Sequence, residues 1–393
     1  MEQLKTKKMR IGIEAQRLFR PHKHGMDRVA LELIKNLQEI DKTNEYYIFV
    51  KPDQDTSVIS KTSNFNIVEI PGRPYPYWEQ IKLPKIAKSY NCDLLHCTSN
   101  TAPLYTKTPL VTTLHDIIYM EESVLKLLKN RASWYQKIGN LYRRIIVNRV
   151  VKKSKCLVTV SDFEKENITN FFKDNSINSI QTIHNGVSNH FMNCPDVMSL
   201  NNAKIKYNLP DQYMLHLANK DPRKNTKNVL KAFNGFLNST STDYKLVMLG
   251  YKEQDLIKTL TEIKANYLIE KVVLLGYVPD QDLPAIYSLS QLFLFPSLRE
   301  GFGIPIIEAM ACGVPVITSN TSSMPEIAGD AACIVDPNNS EAIMQGILKI
   351  STDLEYKNEL ISKGLERCKK FSWNNMALQV LEVYKKMFNE IKA

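Results

Sequence analysis

The strongest constraint on the fold is a regular alternation of short apolar runs with longer stretches of helical periodicity. Several of the runs are apolar at every position, as is typical of parallel strands that are covered on both faces. Between the first two runs lie residues 26–40, in which Val29, Leu33 and Leu37 recur at helical spacing. Repetition of strand, helix and strand predicts an α/β fold with doubly wound parallel sheets. The predicted strands are Met9–Glu14, Tyr46–Val50, Asn66–Ile70, Asp93–Cys97, Leu110–Leu114, Cys156–Val160, Gln181–His184, Tyr213–Leu217, Lys245–Leu249, Val272–Tyr277, Leu292–Phe295, Val316–Thr318 and Cys333–Val335.

The alternation lapses once, between residues 187 and 211, where the chain is polar, rich in Asn and contains two prolines. We interpret this stretch as a linker, because 393 residues exceed what one hydrophobic core usually covers. The prediction is therefore two Rossmann-like doubly wound parallel-sheet domains, one over residues 1–195 and one over residues 205–372. Such sheets bind ligands at the carboxyl ends of their strands, so a cleft between the domains is the expected site.

Composition is that of an ordinary globular protein, with 44% hydrophobic and 23% charged residues. No apolar run is long enough to span a bilayer, and the basic opening stretch is followed by no apolar run long enough for a signal peptide. The seven cysteines include no Cys-x-x-Cys pair, which is typical of reduced thiols in a core. We therefore expect a cytoplasmic location.

Positive charge is concentrated in the first half of the chain. The net charge is +10, and residues 1–200 contain 29 Lys and Arg against 20 Asp and Glu. Ten basic and no acidic residues occur between Ser123 and Lys155. A one-sided basic face attracts an anionic partner such as lipid headgroups or a phosphorylated acceptor, but it is also compatible with a solvated helix. No nucleic-acid-binding motif accompanies the charge, so no nucleic acid partner is expected.

The densest motif occupies residues 296–316, where a predicted strand enters a loop with two glycines and a helix begins shortly afterwards. Exposed amides at the start of that helix, together with the helix dipole, favour a diphosphate. Gly301 and Gly303 allow a ligand to approach the backbone without a Cβ in the way. Glu300 and Glu308 flank this anion site, so we expect each of them to accept hydrogen bonds from sugar or ribose hydroxyls.

A second motif is Asn219-Lys-Asp-Pro-Arg-Lys-Asn225, directly after the first strand of the second predicted domain. Its adjacent cations, Arg223 and Lys224, suit a diphosphate that leaves with negative charge. Taken by itself, such a pair in a loop is also compatible with solvated charge.

The first predicted domain offers two further candidates. The strand Leu110–Leu114 ends in His115 and Asp116, which places a titratable ring and an acid at the carboxyl edge of the sheet. Gly25, between the first strand and the first helix, is a position for close approach of a ligand. Asp27 would repel a phosphate there, so we expect this loop to face acceptor hydroxyls.

The segment from Glu300 to Glu308 is similar to the Glu-x7-Glu signature of the retaining family 4 glycosyltransferases of the GT-B fold. The similarity extends from about Met9 to Phe388. The resemblance implies that Glu300 contacts the donor sugar and that Glu308 binds the ribose of the nucleotide. The backbone that it places near the diphosphate is that of Phe302, Gly303 and Ile304.

The same resemblance assigns roles to the other motifs. It implies that Lys224 neutralises the leaving group and that His115 lies beside the donor sugar. It also implies that a C-terminal helix over residues 375–393 crosses back onto the first domain.

The function that follows from the resemblance is a hexosyltransferase that acts with retention, with mannose as the favoured sugar. Its donor would be a GDP- or UDP-linked sugar, and its acceptor a glycan or a lipid-linked acceptor. The nucleotide sugar is a co-substrate, so no cofactor is expected. Cations and helix amides are expected in place of a metal ion. An anionic membrane surface as partner would put the protein at the inner face of the cytoplasmic membrane.

Three alternative interpretations of the sequence remain to be weighed against a glycosyltransferase without a metal ion. Paired carboxylates could serve a glycosidase, but those would have to face each other across a sugar, which flanking a helix start does not arrange. The Asp-x-Asp pairs, Asp53 with Asp55 and Asp280 with Asp282, have the spacing of a metal site, but we interpret Asp282 as a helix N-cap and Asp53 as a turn residue. A non-catalytic sugar-nucleotide or glycan-binding module on this scaffold, or a nucleotide-sugar epimerase, also remains open.

Overall fold

The computed structural model of the protein describes residues 8–72, 74–121, 134–173 and 177–392. It divides into two compact units. The first unit comprises Met1–Asn185 together with Trp373–Ala393, and the second unit comprises Gly186–Ser372. The first unit is therefore built from two separate pieces of the chain, whereas the second is continuous.

The first unit is organised around a seven-stranded parallel sheet of order β3-β2-β1-β4-β5-β6-β7. The reversal of strand order between β1 and β4 places their carboxyl ends side by side, with Glu14 opposite Cys97. Such a reversal is the usual ligand-binding position of a doubly wound sheet. The strands are β1 (Arg10–Glu14), β2 (Glu45–Val50), β3 (Phe65–Glu69), β4 (Leu94–Cys97), β5 (Leu110–Leu114), β6 (Cys156–Thr159) and β7 (Ile180–Thr182).

Helices cover this sheet, and the last of them comes from the far end of the chain. They are α1 (Gly25–Ile40), α2 (Tyr75–Tyr77), α3 (Leu83–Ser89), α4 (Ile118–Glu121), α5 (Trp134–Lys153), α6 (Asp162–Phe172) and α16 (Trp373–Lys392). Helix α16 packs against α1, and its Tyr384 is fully buried. The Tyr384 hydroxyl lies 2.6 Å from Nδ1 of the buried His96 in β4. A C-terminal helix therefore belongs to the first unit, and it begins at Trp373.

The second unit repeats the architecture with a six-stranded parallel sheet of order β10-β9-β8-β11-β12-β13. Here the order reverses between β8 and β11, which are hydrogen-bonded neighbours. The strands are β8 (Tyr213–Leu217), β9 (Lys245–Leu249), β10 (Val272–Leu275), β11 (Leu292–Phe295), β12 (Val316–Ser319) and β13 (Cys333–Val335). The helices are α7 (Asn189–Met192), α8 (Val197–Lys206), α9 (Thr226–Ser239), α10 (Glu253–Glu262), α11 (Leu283–Ser288), α12 (Ile304–Ala311), α13 (Met324–Ala328), α14 (Ser340–Thr352) and α15 (Leu354–Cys368).

The sequence prediction of the fold class is confirmed, because every predicted strand is present and both sheets are parallel. The interpretation of residues 187–211 as a linker is wrong. This stretch contains α7 and α8 and belongs to the second unit. Helix α8 is mostly exposed, and Asp196 caps it by accepting a hydrogen bond from the Ser199 amide at 2.7 Å.

Candidate functional site

The site of the second unit begins with an ion pair between two loops. Lys224 lies in the loop after β8 and Glu300 in the loop after β11, and these two strands flank the reversal of strand order. Lys224 Nζ lies 2.7 Å from Glu300 Oε1. The side chains are 28% and 16% exposed, so a ligand at this edge of the sheet can reach both. The structure thus brings together two residues that the sequence predicts from motifs 76 positions apart.

Asn225 fixes the loop that carries Lys224. Its backbone is left-handed, with φ of 58°, and its side chain is buried. The side-chain amide donates to the carbonyl oxygens of Pro296 at 2.9 Å and Pro337 at 2.6 Å. In addition, the amide of Leu298 donates to the carbonyl oxygen of Arg223 at 2.7 Å. These bonds tie the loops after β8, β11 and β13 to one another.

Helix α12 presents its amino terminus at the end of the Glu300 loop. Gly303 precedes the helix with φ of +100°, a conformation that suits glycine, and Pro305 occupies the first turn. Gly313 follows the end of the helix with φ of +71°, and its amide donates to the carbonyl oxygen of Met310 at 3.0 Å. Pro305 has no N–H and the amide of Ile306 donates to the carbonyl oxygen of Gly303 at 2.9 Å, so Ile304 is the first-turn residue whose amide is left for an anion.

Glu308 is the fifth residue of α12 and is only 4% exposed. The hydroxyl of Tyr287 donates to its Oε2 over 3.4 Å. Because Glu308 lies beyond the first turn, stabilisation of the helix dipole does not account for its position. A buried carboxylate that can accept further hydrogen bonds is consistent with the predicted contact to ribose hydroxyls.

The residues between Glu300 and α12 contribute backbone rather than side chains. The ring of Phe302 is buried and packs edge-on against Phe371, with ring centres 5.7 Å apart. Gly301 lies in the bend before it, and Ile304 begins the helix. A ligand would therefore meet main-chain atoms here.

The other predicted cation of this loop has a partner of its own. Arg223 donates from Nε and from NH2 to the carboxylate of Asp221, the latter at 2.6 Å. Burial by itself would raise the pKa of Asp221, but the hydrogen bonds from Arg223 hold it below its usual value. The guanidinium therefore supports the fold of the loop, and its predicted contact with a diphosphate stays a prediction.

In the first unit, His115 is buried at the carboxyl end of β5. Its amide donates to Asn100 Oδ1 at 2.7 Å, and its ring Nε2 lies 2.9 Å from the carbonyl oxygen of Thr98. Because a carbonyl can only accept, Nε2 carries the hydrogen and Nδ1 of the neutral ring is an acceptor. Burial lowers the pKa of His115 despite the bond to Thr98, so the ring is neutral near neutral pH. Asp116 follows directly and bonds the amide of Ile118 at 3.2 Å.

Gly25 is the first residue of α1, and no described protein atom lies within 4 Å of the place where a Cβ would sit. Glycine is thus not required by packing, which leaves room for the predicted ligand approach. The expectation that Asp27 repels a phosphate needs correction. Its side chain is only 1% exposed, and its Oδ1 lies 3.0 Å from Nε of Arg17. Its negative charge is therefore balanced within the protein.

Two residues of this edge were missed by the sequence analysis, Arg17 and Glu14. Glu14 is the last residue of β1 and is fully buried, with Oε1 accepting from the Gln16 amide at 2.9 Å and Oε2 having no described partner. Burial raises the pKa of Glu14 to about 7, and the nearby negative charge of Glu79 acts in the same direction. The sequence signal that could have identified Glu14 is an acid at the carboxyl end of a strand whose central residues are apolar.

The Asp-x-Asp pairs are engaged elsewhere. Asp282 precedes α11 as predicted, but its carboxylate does not cap the helix. It accepts instead from Lys206 at 2.7 Å and from the Tyr207 hydroxyl at 2.6 Å. Asp55 forms an ion pair with Lys23.

The basic stretch predicted from Ser123 to Lys155 is described only from residue 134 onwards, so Val124, Leu127 and Leu128 lie outside the described residues. The apolar residues of α5 divide into two sets. Ile146, Val147, Val150 and Val151 are buried in the first unit. By contrast, Ile138, Leu141 and Ile145 are about half exposed (51%, 48% and 49%) and recur at helical spacing. No helix among the described residues is long and apolar enough to cross a membrane.

Comparison with known proteins gives one consistent result. A family model described as Glycosyltransferase Family 4 matches residues 24–190, and one described as Glycosyl transferases group 1 matches residues 199–367. The O-antigen chain mannosyltransferase B of Escherichia coli is 34% identical over 283 residues, which are 70% of this chain and 70% of that protein.

Solved structures share the fold. A glycosyltransferase from Rickettsia africae superposes with a TM-score of 0.73 at 20% identity, over 97% of this chain and 98% of that one. Anabaena Alr3699/HepE, solved in complex with UDP and glucose, superposes with a TM-score of 0.72 at 16% identity, over 96% of this chain and 100% of that one. At such identities the likeness concerns the fold alone.

Proposed function

This chain belongs to the GT-B glycosyltransferases of family 4 and group 1, and from that premise we propose the reaction that it catalyses. It moves a hexosyl unit, with mannose favoured, from a nucleoside diphosphate sugar to a glycan or lipid-linked acceptor. The transfer retains the anomeric configuration and needs no metal ion.

The observation that carries the proposal is the convergence of three elements at one edge of the second sheet. Lys224 and Glu300 meet at 2.7 Å, and the amino terminus of α12 follows the Glu300 loop directly. The buried Glu308 lies one turn into that helix. A cation, the positive end of a helix and two carboxylates match the parts of a nucleotide sugar, namely a diphosphate between a sugar and a ribose.

In the proposed step, the bond between the anomeric carbon of the sugar and the diphosphate oxygen breaks. Lys224 and the amino terminus of α12 stabilise the negative charge that develops on the departing diphosphate. They supply what a divalent cation provides in metal-dependent transfer. Glu300 accepts hydrogen bonds from the sugar hydroxyls and orients the ring.

Retention follows if the acceptor hydroxyl attacks from the face that the diphosphate leaves. The departing phosphate oxygen takes the acceptor proton, so the protons balance without a protein base. Neutral His115, with Nδ1 as an acceptor, is suited to bind a sugar hydroxyl rather than to carry a charge.

The preference for mannose rests on the relatives, because O-antigen chain mannosyltransferase B is 34% identical over 70% of this chain. That activity belongs to the relative, and the proposal transfers it to this chain. Anabaena Alr3699/HepE was solved with UDP and glucose, so both GDP-mannose and UDP-glucose are the donors to compare first.

Calorimetry with GDP and UDP tests the donor site. We expect one of them to bind, and we expect Lys224→Gln and Glu308→Gln each to weaken its binding by about 1–3 kcal/mol, the range for a lost hydrogen bond to a charged group. Lys227→Gln is the matched control, because this lysine is in the same unit but pairs with Glu262 on the surface. Unchanged affinity in both site variants would refute the assignment.

Turnover in the presence of a chelator tests metal independence. We expect release of the nucleoside diphosphate and transfer of sugar to continue in excess chelator. Activity that disappears and returns only with Mg²⁺ or Mn²⁺ would contradict the proposal. Binding without any turnover would favour the non-catalytic module instead.

We further propose that the exposed face of α5 contacts anionic lipid, which would bring a lipid-linked acceptor close. Its half-exposed Ile138, Leu141 and Ile145 share one side of the helix with the exposed Arg149 and Lys152, as in interfacial helices. We expect sedimentation with phosphatidylglycerol vesicles at low salt, reduced by high salt and by the triple change Ile138→Ser, Leu141→Ser and Ile145→Ser. Ile257→Ser with Lys258→Gln on the exposed face of α10 is the control. Equal sedimentation of all forms would leave α5 a solvated helix.

A further inference from the structure

A run of hydroxyl side chains that begins at the end of β12 and continues beyond it is bonded to the loop that carries Glu300. From residue 296 to residue 303 the chain is neither strand nor helix, so its carbonyl groups lack sheet partners. The donors come from Thr318, Ser319, Thr321, Ser322 and Ser323, a set that we call the hydroxyl ladder. The acceptors are the carbonyl oxygens of Phe295 (3.0 Å), Ser297, Leu298 (3.2 Å), Glu300 (2.6 Å) and Phe302 (3.0 Å), in the same order.

The contact at Glu300 is the only reciprocal one in the ladder as the structure describes it. Ser322 Oγ donates to the Glu300 carbonyl oxygen at 2.6 Å and accepts from the Glu300 amide at 3.2 Å. Arg299 joins the same cluster, donating from NH1 to the Glu300 carbonyl at 2.9 Å and to Ser322 Oγ at 3.0 Å. Ser323 Oγ also donates to the Glu300 carbonyl oxygen, at 3.1 Å. Ser322 is thus the side chain that bonds both the amide and the carbonyl group of Glu300, and the carbonyl has two further donors.

Ser322 holds this position in a conformation that is unfavourable for serine. Its φ is +59°, in the left-handed region, where glycine is at no disadvantage. A residue chosen only for the turn would therefore be glycine, which cannot make either bond to Glu300. Strained conformations of this kind persist where the surroundings need the side chain and are common at functional sites.

We propose that Ser322 is a positioning residue that fixes the main chain of Glu300 and, through it, the carboxylate that meets the donor sugar. The inference deepens the proposed function and rests on it. The carboxylate sits only a few bonds from the clamped main chain, so a fixed peptide limits where Oε1 and Oε2 can lie relative to Lys224. Precise placement matters because an error of about 1 Å at a reacting centre can cost on the order of a hundredfold in rate.

Two substitutions separate this role from a merely structural one. Ser322→Gly relieves the strained backbone but removes the hydroxyl, whereas Ser322→Thr keeps a hydroxyl but places a β-branched residue in the left-handed region. If the role is positioning, Ser322→Gly keeps or raises Tm and loses kcat by about tenfold or more, while Ser322→Thr lowers Tm and retains most of kcat.

The measurements are Tm, affinity for the nucleoside diphosphate by calorimetry, and kcat for its release from GDP-mannose or UDP-glucose, whichever the unaltered protein turns over. Affinity should change by less than about twofold in both variants, because Lys224, Glu308 and the amino terminus of α12 are unchanged. Ser290→Ala is the control, because it removes a buried hydroxyl that donates to the Tyr287 carbonyl at 2.7 Å, before β11 and away from the loop.

Normal kcat in Ser322→Gly, or a loss of kcat that follows Tm across both variants and the control, would overturn the inference. Either result would leave the proposed function intact. That function would fail separately, if the unaltered protein bound neither nucleoside diphosphate and released none from either sugar.

Discussion

At the scale of residues, the ion pair between Lys224 and Glu300 joins two groups that the proposed reaction uses for different parts of the donor. In the free protein each neutralises the other at 2.7 Å. An incoming diphosphate must therefore compete with Glu300 for the ammonium group. The hydroxyls of the donor sugar, in turn, would replace the ammonium group of Lys224 as hydrogen-bond donors to Glu300.

This competition gives a prediction with a definite sign. In Glu300→Gln, Lys224 loses its internal anion, so nucleoside diphosphate affinity should stay the same or increase by up to about 1 kcal/mol, a modest value because both side chains are partly exposed. Turnover should nevertheless fall by about a hundredfold or more, because the sugar loses its acceptor. Calorimetry and steady-state release of nucleoside diphosphate check both parts. Affinity that falls as it does in Lys224→Gln would contradict the argument.

Glu14 makes stability depend on pH. Burial raises its pKa from the ordinary 4.5 to about 7, with Glu79 acting in the same direction. The folded state therefore binds the proton more tightly than the unfolded chain does. Its contribution to stability is fully present below the unfolded pKa and is lost as pH rises through about 7.

We expect Glu14→Gln to remove that dependence. Between about pH 5 and about pH 8, the unfolding free energy of the unaltered protein should fall relative to that of the variant by up to about 3 kcal/mol, at roughly 1.4 kcal/mol per pKa unit. Urea unfolding at several pH values measures the difference. Glu69→Gln, at an exposed strand end, is the control, and its unfolding free energy should change with pH as that of the unaltered protein does. A difference independent of pH would show that Glu14 is ionised throughout.

The candidate site could be predicted from sequence where chemistry-bearing residues follow strands in compact motifs. Glu300, Glu308 and Lys224 are predicted as site residues because helix starts and strand ends can be recognised locally. Arg17 and Ser322 could not be, because their roles come from contacts with Asp27 and with the Glu300 main chain. Such contacts exist only after distant segments have folded together.

At the scale of elements, Asn225 is the residue on which three loops depend. Asn225→Ala should lower the unfolding free energy by about 2–3 kcal/mol, because two buried carbonyl groups lose their donor and alanine is strained at positive φ. Asn225→Gly avoids strain at positive φ, so its loss of unfolding free energy should be smaller than that of Asn225→Ala by about 1 kcal/mol. Asn208→Ala is the matched control, because Asn208 has φ of 47° on an exposed helix end.

Urea unfolding and nucleoside diphosphate affinity measure the consequences. We expect both Asn225 variants to bind more weakly, because the loop that carries Lys224 loses its ties to Pro296 and Pro337. Equal losses of stability for Asn225→Ala and Asn208→Ala, with nucleoside diphosphate affinity unchanged, would contradict the role given to Asn225 in holding the three loops together.

Strands were predicted more accurately than irregular segments. The bounds of β5, β8, β9, β11 and β13 agree with the sequence prediction at both ends. Continuous apolar runs bounded by polar residues mark where a strand covered on both faces begins and ends. Helix α8 was missed because it buries little apart from Ala203, so its sequence lacks the periodicity that identifies a helix.

At the scale of the whole molecule, the two units should differ when expressed separately. Residues 186–372 form one continuous piece with its own sheet and core, so we expect this piece to fold and to bind the same nucleoside diphosphate. Residues 1–185 without α16 should not fold stably, because α1 loses the helix that packs on it and His96 loses Tyr384. Circular dichroism, urea unfolding and calorimetry on each piece test this.

A shorter deletion provides the control. Truncation after Phe388 removes only exposed residues of α16 and should leave the full-length protein stable. Cooperative unfolding of residues 1–185 alone, equal to that of the full chain, would contradict the role given to α16.

The chain enters and leaves the second unit at neighbouring points. The amide of Val187 donates to the carbonyl oxygen of Phe371 at 3.1 Å, and Val187 pairs with Ser372 in a parallel bridge. In genetic terms, residues 186–372 are an insertion whose two junctions are adjacent in the structure. If the proposed function holds, one exchange of this segment with a relative would replace the donor site and leave the first unit unchanged. Recombination at this pair of junctions therefore offers such proteins a direct route to new combinations of sugar and acceptor.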